Sequence, residues 1–170
     1  MQFDRLEIRF AEAADTSTLA GLMLEANRHY WGAWDGASAM TAASAQAMIA
    51  GQSGCKAIIA WQGGLPIAFA TVSVLHPAPS EHGTLFMKDL FVTENARGTG
   101  VGTHVMRHLA GLAMKLGCQR FDWTAETDNP RALAFYDRLG ATRVEEKVYF
   151  RFSAQTLASL AAEPSQDGDT

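Results

Sequence analysis

Asp89-Leu90-Phe91-Val92-Thr93-Glu94-Asn95-Ala96-Arg97-Gly98-Thr99-Gly100-Val101-Gly102-Thr103 is the stretch whose reading decides the fold. It closes a β-prone run over Thr84–Val92 and crosses a short polar loop. A glycine-rich turn then opens a helix with the apolar stripe Val101, Val105, Leu109, Leu112 and Leu116, ended by Gly117. The first N–H groups of such a helix lack intrahelical partners, and the helix dipole adds partial positive charge there. Glycines let the backbone approach an anion closely, and Arg97 adds a fixed cation. The stretch therefore reads as a phosphate or pyrophosphate cradle; a plain tight strand-to-helix connection is the bland alternative. It is no P-loop, because no Gly-Lys-Ser/Thr follows. The dinucleotide pattern GxGxxG fails at its third glycine, where Thr103 stands.

The rest of the chain builds out from this unit. Leu6–Phe10 alternates apolar and charged residues, as a half-buried strand does. Asp15 or Thr16 can cap a helix carrying Leu19, Leu22, Met23 and Ala26. An Ala-rich helix over Ser38–Ala50 ends at Gly51. Ala57–Trp61 and Pro66–Leu75 flank Gln62-Gly63-Gly64 as a hairpin. Phe121–Ala125 is a further strand, and Asn129-Pro130 starts a short helix that Gly140 ends. Val148–Phe152 is expected as the last strand, with one more near Thr142–Glu145. The order β-α-α-β-β-β-α-β-α-β predicts an α/β (α+β) domain, a mixed sheet with helices on both faces. Residues 1–162 form one domain in this reading, and 163–170 form an acidic, disordered tail.

Composition narrows the function. The chain has 170 residues, is 48% hydrophobic, and carries a net charge of −4, which disfavours general nucleic-acid binding by a basic surface. Residues 88–120 nevertheless carry five basic and two acidic side chains, which suits a bound anion. No apolar run approaches the roughly 20 residues of a membrane span, and Met1–Arg5 leads into no apolar signal core. Cys55 and Cys118 are far apart, which reads as buried free thiols in a reducing cytoplasm. His104 and His108 are four apart, but Val105, Met106 and Arg107 between them do not make HExxH, so no metal is expected.

A second motif lies downstream: Asn129-Pro130-Arg131-Ala132-Leu133-Ala134-Phe135-Tyr136-Asp137-Arg138-Leu139-Gly140-Ala141. It follows Arg-x-x-Gly-x-Gly, made by Arg97, Gly100 and Gly102. From Leu6 to Phe152 the chain resembles the GNAT superfamily of N-acetyltransferases. Phe86 through Cys118 looks most like its diamine (spermidine/spermine, thialysine) branch. The resemblance implies a twisted, mostly antiparallel sheet of six to seven strands, splayed after the fourth. It implies acetyl-CoA as co-substrate, with pantetheine along Leu90, Phe91 and Val92. The pyrophosphate would be held by Arg97, Gly98, Thr99, Gly100, Val101, Gly102 and Thr103. Asn129, Ala132 and Phe135 would complete the cofactor site, and Tyr136 would protonate the leaving thiolate. A homodimer paired through late strands and helices is also implied.

The chemistry agrees. Alignment of an amine with a thioester supplies several kcal/mol, and a backbone N–H near Val92 would stabilise the oxyanion. A phenol of pKa about 10 suits a thiol of about 8.5; outside the motif, Tyr136 would read as a core aromatic on one stripe with Leu133 and Leu139. The base stays open between Asp89, Glu126, His29 and water. Where the diamine branch carries an acidic pair, this chain has Lys88-Asp89, which counts against a polycation. Glu25, His29, Tyr30, Trp31 and Trp34, with Asp89, are the candidate acceptor contacts, since aromatics beside carboxylates hold cationic amines. The alternative is that these aromatics fill the core or an interface. Glu126 and Asp128 either face the acceptor or support Asn129. The expected activity is N-acetylation of a primary amine on a small molecule such as a diamine or amino acid. Acetylation of a protein Lys or N-terminus, and a non-catalytic acyl-CoA-binding module, are the competing readings.

Overall fold

The computed structural model describes residues 6–33, 36–76 and 82–162. Contacts divide the chain into two compact units, Met1–Asn129 and Pro130–Thr170. The first unit holds β1 (Leu6–Phe10), α1 (Thr16–Trp31), α2 (Ala37–Ile49), β2 (Lys56–Gln62), β3 (Leu65–Leu75), β4 (Thr84–Val92), α3 (Val101–Lys115) and β5 (Phe121–Trp123). The sheet order is β1-β2-β3-β4-β5. The first four strands pair antiparallel and β5 joins β4 in parallel. Only a crossover connection can return a parallel strand, and α3 provides it.

Alternation assigns the two faces. Ala57, Ile59, Phe69 and Phe91 share one face through their cross-strand register. They form a buried cluster with Leu19, Leu22 and Ala26 of α1 and Ala45 of α2. The alternate residues Ile58, Ala60, Ala68, Ala70, Val72, Leu85 and Met87 are buried as well. α3 contacts β3 and β4 and buries Val101, Val105, Met106, Leu109 and Ala113. Helices on both faces explain why β2 and β3 are nearly continuous apolar runs.

The start of α1 departs from simple capping. Asp15 occupies the N-cap position but makes no side-chain cap. Its carboxylate instead accepts from both Arg9 Nη atoms, one at 3.0 Å, and from the Glu12 N–H at 2.8 Å. The Arg9 hydrogen bonds hold Asp15 below the usual carboxylate pKa against the opposing effect of burial. Arg9 thus ties the edge strand to the first helix.

The second unit holds α4 (Pro130–Arg138) and α5 (Ala154–Ala162). The described strands number five, not six or seven, and neither Thr142–Glu145 nor Val148–Phe152 is a strand. β-prone side chains make a strand only where a neighbouring strand takes up their backbone hydrogen bonds. Among the described residues Val148–Phe152 has no such ladder. α5 was not anticipated. Its start is marked by Ser153, whose Oγ accepts the Thr156 N–H at 3.1 Å, as N-capping serines do. The proposed tail, 163–170, lies outside the described residues. Cys118 is buried, Cys55 is only half-buried, and both are free thiols. Among the described residues no helix is long and apolar enough to cross a membrane.

Candidate active site

The site begins where β4 outruns β5. Their ladder pairs Leu85 with Phe121, Phe86 with Asp122 and Met87 with Trp123, and stops there. β4 continues to Val92. On the β5 side, Lys88–Val92 has no strand beside it among the described residues. Leu90 and Val92 are half-buried there, while Phe91 is buried at 2% exposure.

The chain then turns through Glu94–Ala96 into the glycine loop. Gly98 and Gly100 have φ of 78° and 89°, which side-chain-bearing residues rarely adopt. A Cβ at either would point into open space, so backbone conformation and not crowding demands glycine. Thr99 Oγ1 donates to Ala96 O at 2.7 Å and pins the loop. The His104 N–H bonds to Gly100 O at 3.1 Å. The N–H groups of Val101, Gly102 and Thr103 precede it and have no carbonyl four residues back within the helix. Glycine φ values and these donors fit an anionic diphosphate. Arg97 is more committed than the motif alone implies. Its Nε donates to Val92 O at 3.0 Å, and its guanidinium carbon lies 5.5 Å from the Phe91 ring centre. It clamps the end of β4 to the loop.

A second group of residues converges on Phe91 from α1. The ring centres of His29 and Tyr30 lie 6.1 and 6.4 Å from that of Phe91 and 5.0 Å from each other. Phe69 closes the other side at 6.1 Å. Burial pushes the Tyr30 phenol up; Arg97 counteracts this and Asp89 adds to it. Asp89 is exposed, and its Oδ2 accepts the Thr71 hydroxyl at 2.6 Å while its N–H donates back to Thr71 Oγ1 at 3.1 Å. Thus His29, Tyr30, Asp89, Phe91 and Arg97 belong to one neighbourhood. Trp31 is 72% exposed and 6.0 Å from Tyr30, and Glu25 is exposed one helical turn before His29. Trp34 lies outside the described residues.

Glu126 and Asp128 are exposed, and Glu126 O accepts the Asn129 N–H at 3.1 Å. In the second unit, Ala132, Phe135 and Tyr136 are half-buried on α4, with the Phe135 and Tyr136 rings 5.0 Å apart. The Leu139 and Ala141 N–H groups both bond to Tyr136 O and end the helix. Exposed Arg143 pairs with Asp137 at 2.7 Å, and its hydrogen bond lowers the Asp137 pKa. Among the described residues no group of three or more His, Cys, Asp or Glu side chains is placed to hold a metal.

Sequence reasoning missed Thr71, which is 2% exposed and fixes Asp89, and it missed the break in register at Lys88. Residue parity was the available signal. An uninterrupted strand would place Asp89 on one face with buried Leu85, Met87 and Phe91.

Residues 22–141 match the model of the acetyltransferase (GNAT) family. The chain belongs to the GNAT acetyltransferase family. An integron cassette protein from the mobile metagenome of V. cholerae is 38% identical over 93% of this chain and 98% of its own, with a TM-score of 0.81. Thialysine N-epsilon-acetyltransferase of Mus musculus is 31% identical over 80 residues, 45% of this chain and 47% of its own length. The chain thus spans about half the length of the curated relatives it matches. The aminoglycoside N-acetyltransferase AAC(6')-Iy, solved with a bisubstrate analog, shares the fold at a TM-score of 0.71 and 18% identity, covering 88% of this chain and 99% of its own.

Proposed function

We propose that this chain is an acetyl-CoA-dependent N-acetyltransferase acting on a primary amine of a small molecule. The observation that carries this is the edge of Lys88–Val92, which among the described residues has no strand on the β5 side and runs straight into a glycine loop that ends at a helix start. A pantetheine arm offers amide groups to a strand edge and a diphosphate to a helix start. Acetyl-CoA supplies the activated thioester. Leu90, Phe91 and Val92 bind the arm, Gly98–Thr103 binds the diphosphate, and Arg97 holds the strand and loop in register. Curated relatives named for thialysine, L-ornithine and an aminoglycoside support a small-molecule amine.

His29, Tyr30 and Asp89 gather the acceptor in this reading. Asp89, held by Thr71, orients the ammonium by its charge, and the proton leaves to water before attack. Tyr136 protonates the departing thiolate; this role rests on its place in the Asn129–Ala141 motif.

Thiol release from acetyl-CoA, measured against diamines, amino acids, aminoglycosides and peptides, tests the reading. Turnover of a small amine is expected. Turnover of peptides alone would replace it with protein acetylation. Silence across the panel with acetyl-CoA bound in calorimetry would replace it with a binding module. The second unit supports the homodimer: Val148, Tyr149, Phe150 and Phe152 are 57–87% exposed, with Leu157 and Leu160 following on α5. Exposed apolar side chains grouped in one short segment suit a protein–protein interface. Light scattering should return twice the chain mass. The free thiols and lack of a spanning helix among the described residues support a cytoplasmic place.

A further inference from the structure

The β3–β4 register pairs Thr71 with Asp89 but Val72 with Met87. Lys88 is therefore an extra residue, a β-bulge in the middle of β4. Its neighbours Met87 and Phe91 are each 2% exposed, whereas Lys88 and Asp89 are both exposed. The bulge brings two adjacent side chains of opposite charge to the surface of a strand whose other residues are buried or half-buried. It does so at the point where the β5 ladder ends. The bulge is pinned, because buried Thr71 both takes the Asp89 N–H and donates to Asp89 Oδ2. That second bond also fixes the orientation of the carboxylate. Arg97 lies over Phe91 and adds another cation. Arg97 and Asp89 both act electrostatically on Tyr30, so the three share one neighbourhood at the end of α1.

An amine arriving at Asp89 thus meets an anion next in sequence to the exposed Lys88, with Arg97 in the same neighbourhood. A polyamine gains from the anion and is repelled by both cations. An acceptor carrying a carboxylate near its amines matches the pattern. We propose that Lys88 is a specificity-determining residue that favours acceptors bearing both an amine and a carboxylate and disfavours polycationic amines. This rests on the acetyl-transfer reading above. Asp89 holds the ammonium, and the Lys88 ammonium holds the carboxylate. The reaction is unchanged: the neutral amine nitrogen bonds to the acetyl carbon and gives up a proton to water, the C–S bond breaks, and the thiolate takes up a proton.

The experiment compares lysine with 1,5-diaminopentane, which lacks only the carboxylate, using the full chain, Lys88→Gln and Lys88→Glu. Lys88 is exposed, so both variants should keep the native near-ultraviolet circular dichroism. The native chain should prefer lysine in kcat/KM. Lys88→Gln should lose the preference. Lys88→Glu should shift the ratio about tenfold towards the diamine, as expected for reversing one charge near another across partly solvated space. The change should lie in the acceptor KM, with the acetyl-CoA KM constant. An unchanged ratio in both variants, with thiol release continuing, would overturn the role of Lys88 and leave the acetyl-transfer reading standing. No thiol release from the native chain with any amine, with acetyl-CoA still bound, would overturn that reading and this inference with it.

Discussion

Replacing Gly100 by Asp and by Asn separates two effects that meet at the start of α3. Gly100 has a φ of 89° and precedes the first helical residue, Val101. A Cβ there meets nothing within 4 Å, so neither substitution crowds the backbone at its first side-chain atom. Both put a side chain on left-handed backbone, at a cost of roughly 1–2 kcal/mol, less for Asn, which tolerates that region best. For a chain of this size, 1 kcal/mol lowers Tm by about 2–4 °C. Both variants should remain folded. Asp also adds a negative charge beside the N–H groups proposed to hold a diphosphate. Two like charges about 6 Å apart repel by roughly 1–3 kcal/mol in a partly solvated site. The diphosphate carries more than one charge, so at least about 2 kcal/mol, or some thirtyfold in Kd, is expected from Asp. Titration calorimetry with acetyl-CoA reads this directly. Asn should weaken binding far less than Asp. Equal Kd values for the two variants would show that no anion lies at this helix start.

Three more outcomes follow from named contacts. Tyr136→Phe should lower kcat by about 10²- to 10³-fold and leave the acetyl-CoA Kd unchanged; an unaltered kcat would remove Tyr136 from the chemistry. Thr71→Val frees the Asp89 N–H and carboxylate from buried Thr71. It should cost about 1–2 kcal/mol in denaturant unfolding and raise the acceptor KM without moving that of acetyl-CoA. Asp15 is held below its usual pKa by Arg9, so its contribution is present above the unfolded carboxylate value and lost as pH falls through the folded one. Asp15→Asn should cost about 1–2 kcal/mol at pH 7, a discounted figure because a third of the Arg9 side chain is exposed. Its stability should converge with that of the native chain as pH falls through the folded Asp15 value; a gap independent of pH would show that charge is not what Asp15 contributes.

The first unit was legible where local rules act alone. Leu19, Leu22 and Ala26 fall on one stripe of α1 and are buried together. Gly98 and Gly100 mark a turn that needs positive φ, and α3 follows at once. The second unit was less legible because its local preferences lack a described partner. Val148–Phe152 has strong β propensity, yet a strand is a property of two segments and not one. α5 was missed because Ser153 was the only punctuation before an Ala-rich run that otherwise resembles a continuation.

The bulge at Lys88 was hidden for a different reason. Leu85, Met87, Asp89 and Phe91 alternate in sequence as one face of one strand. Followed literally, that pattern places a carboxylate in a row with three buried apolar side chains, at a cost of several kcal/mol. The extra residue removes the conflict. Leu85 and Met87 stay on the face with Val72, while Phe91 joins Phe69 under α1 and Asp89 emerges beside Thr71. The same insertion exposes Lys88 and falls where β5 leaves β4. A regular strand there would bury the carboxylate among apolar side chains and leave no oriented charge beyond the β5 ladder. The one position where the strand breaks its own period is the position where the proposed chemistry needs a charge.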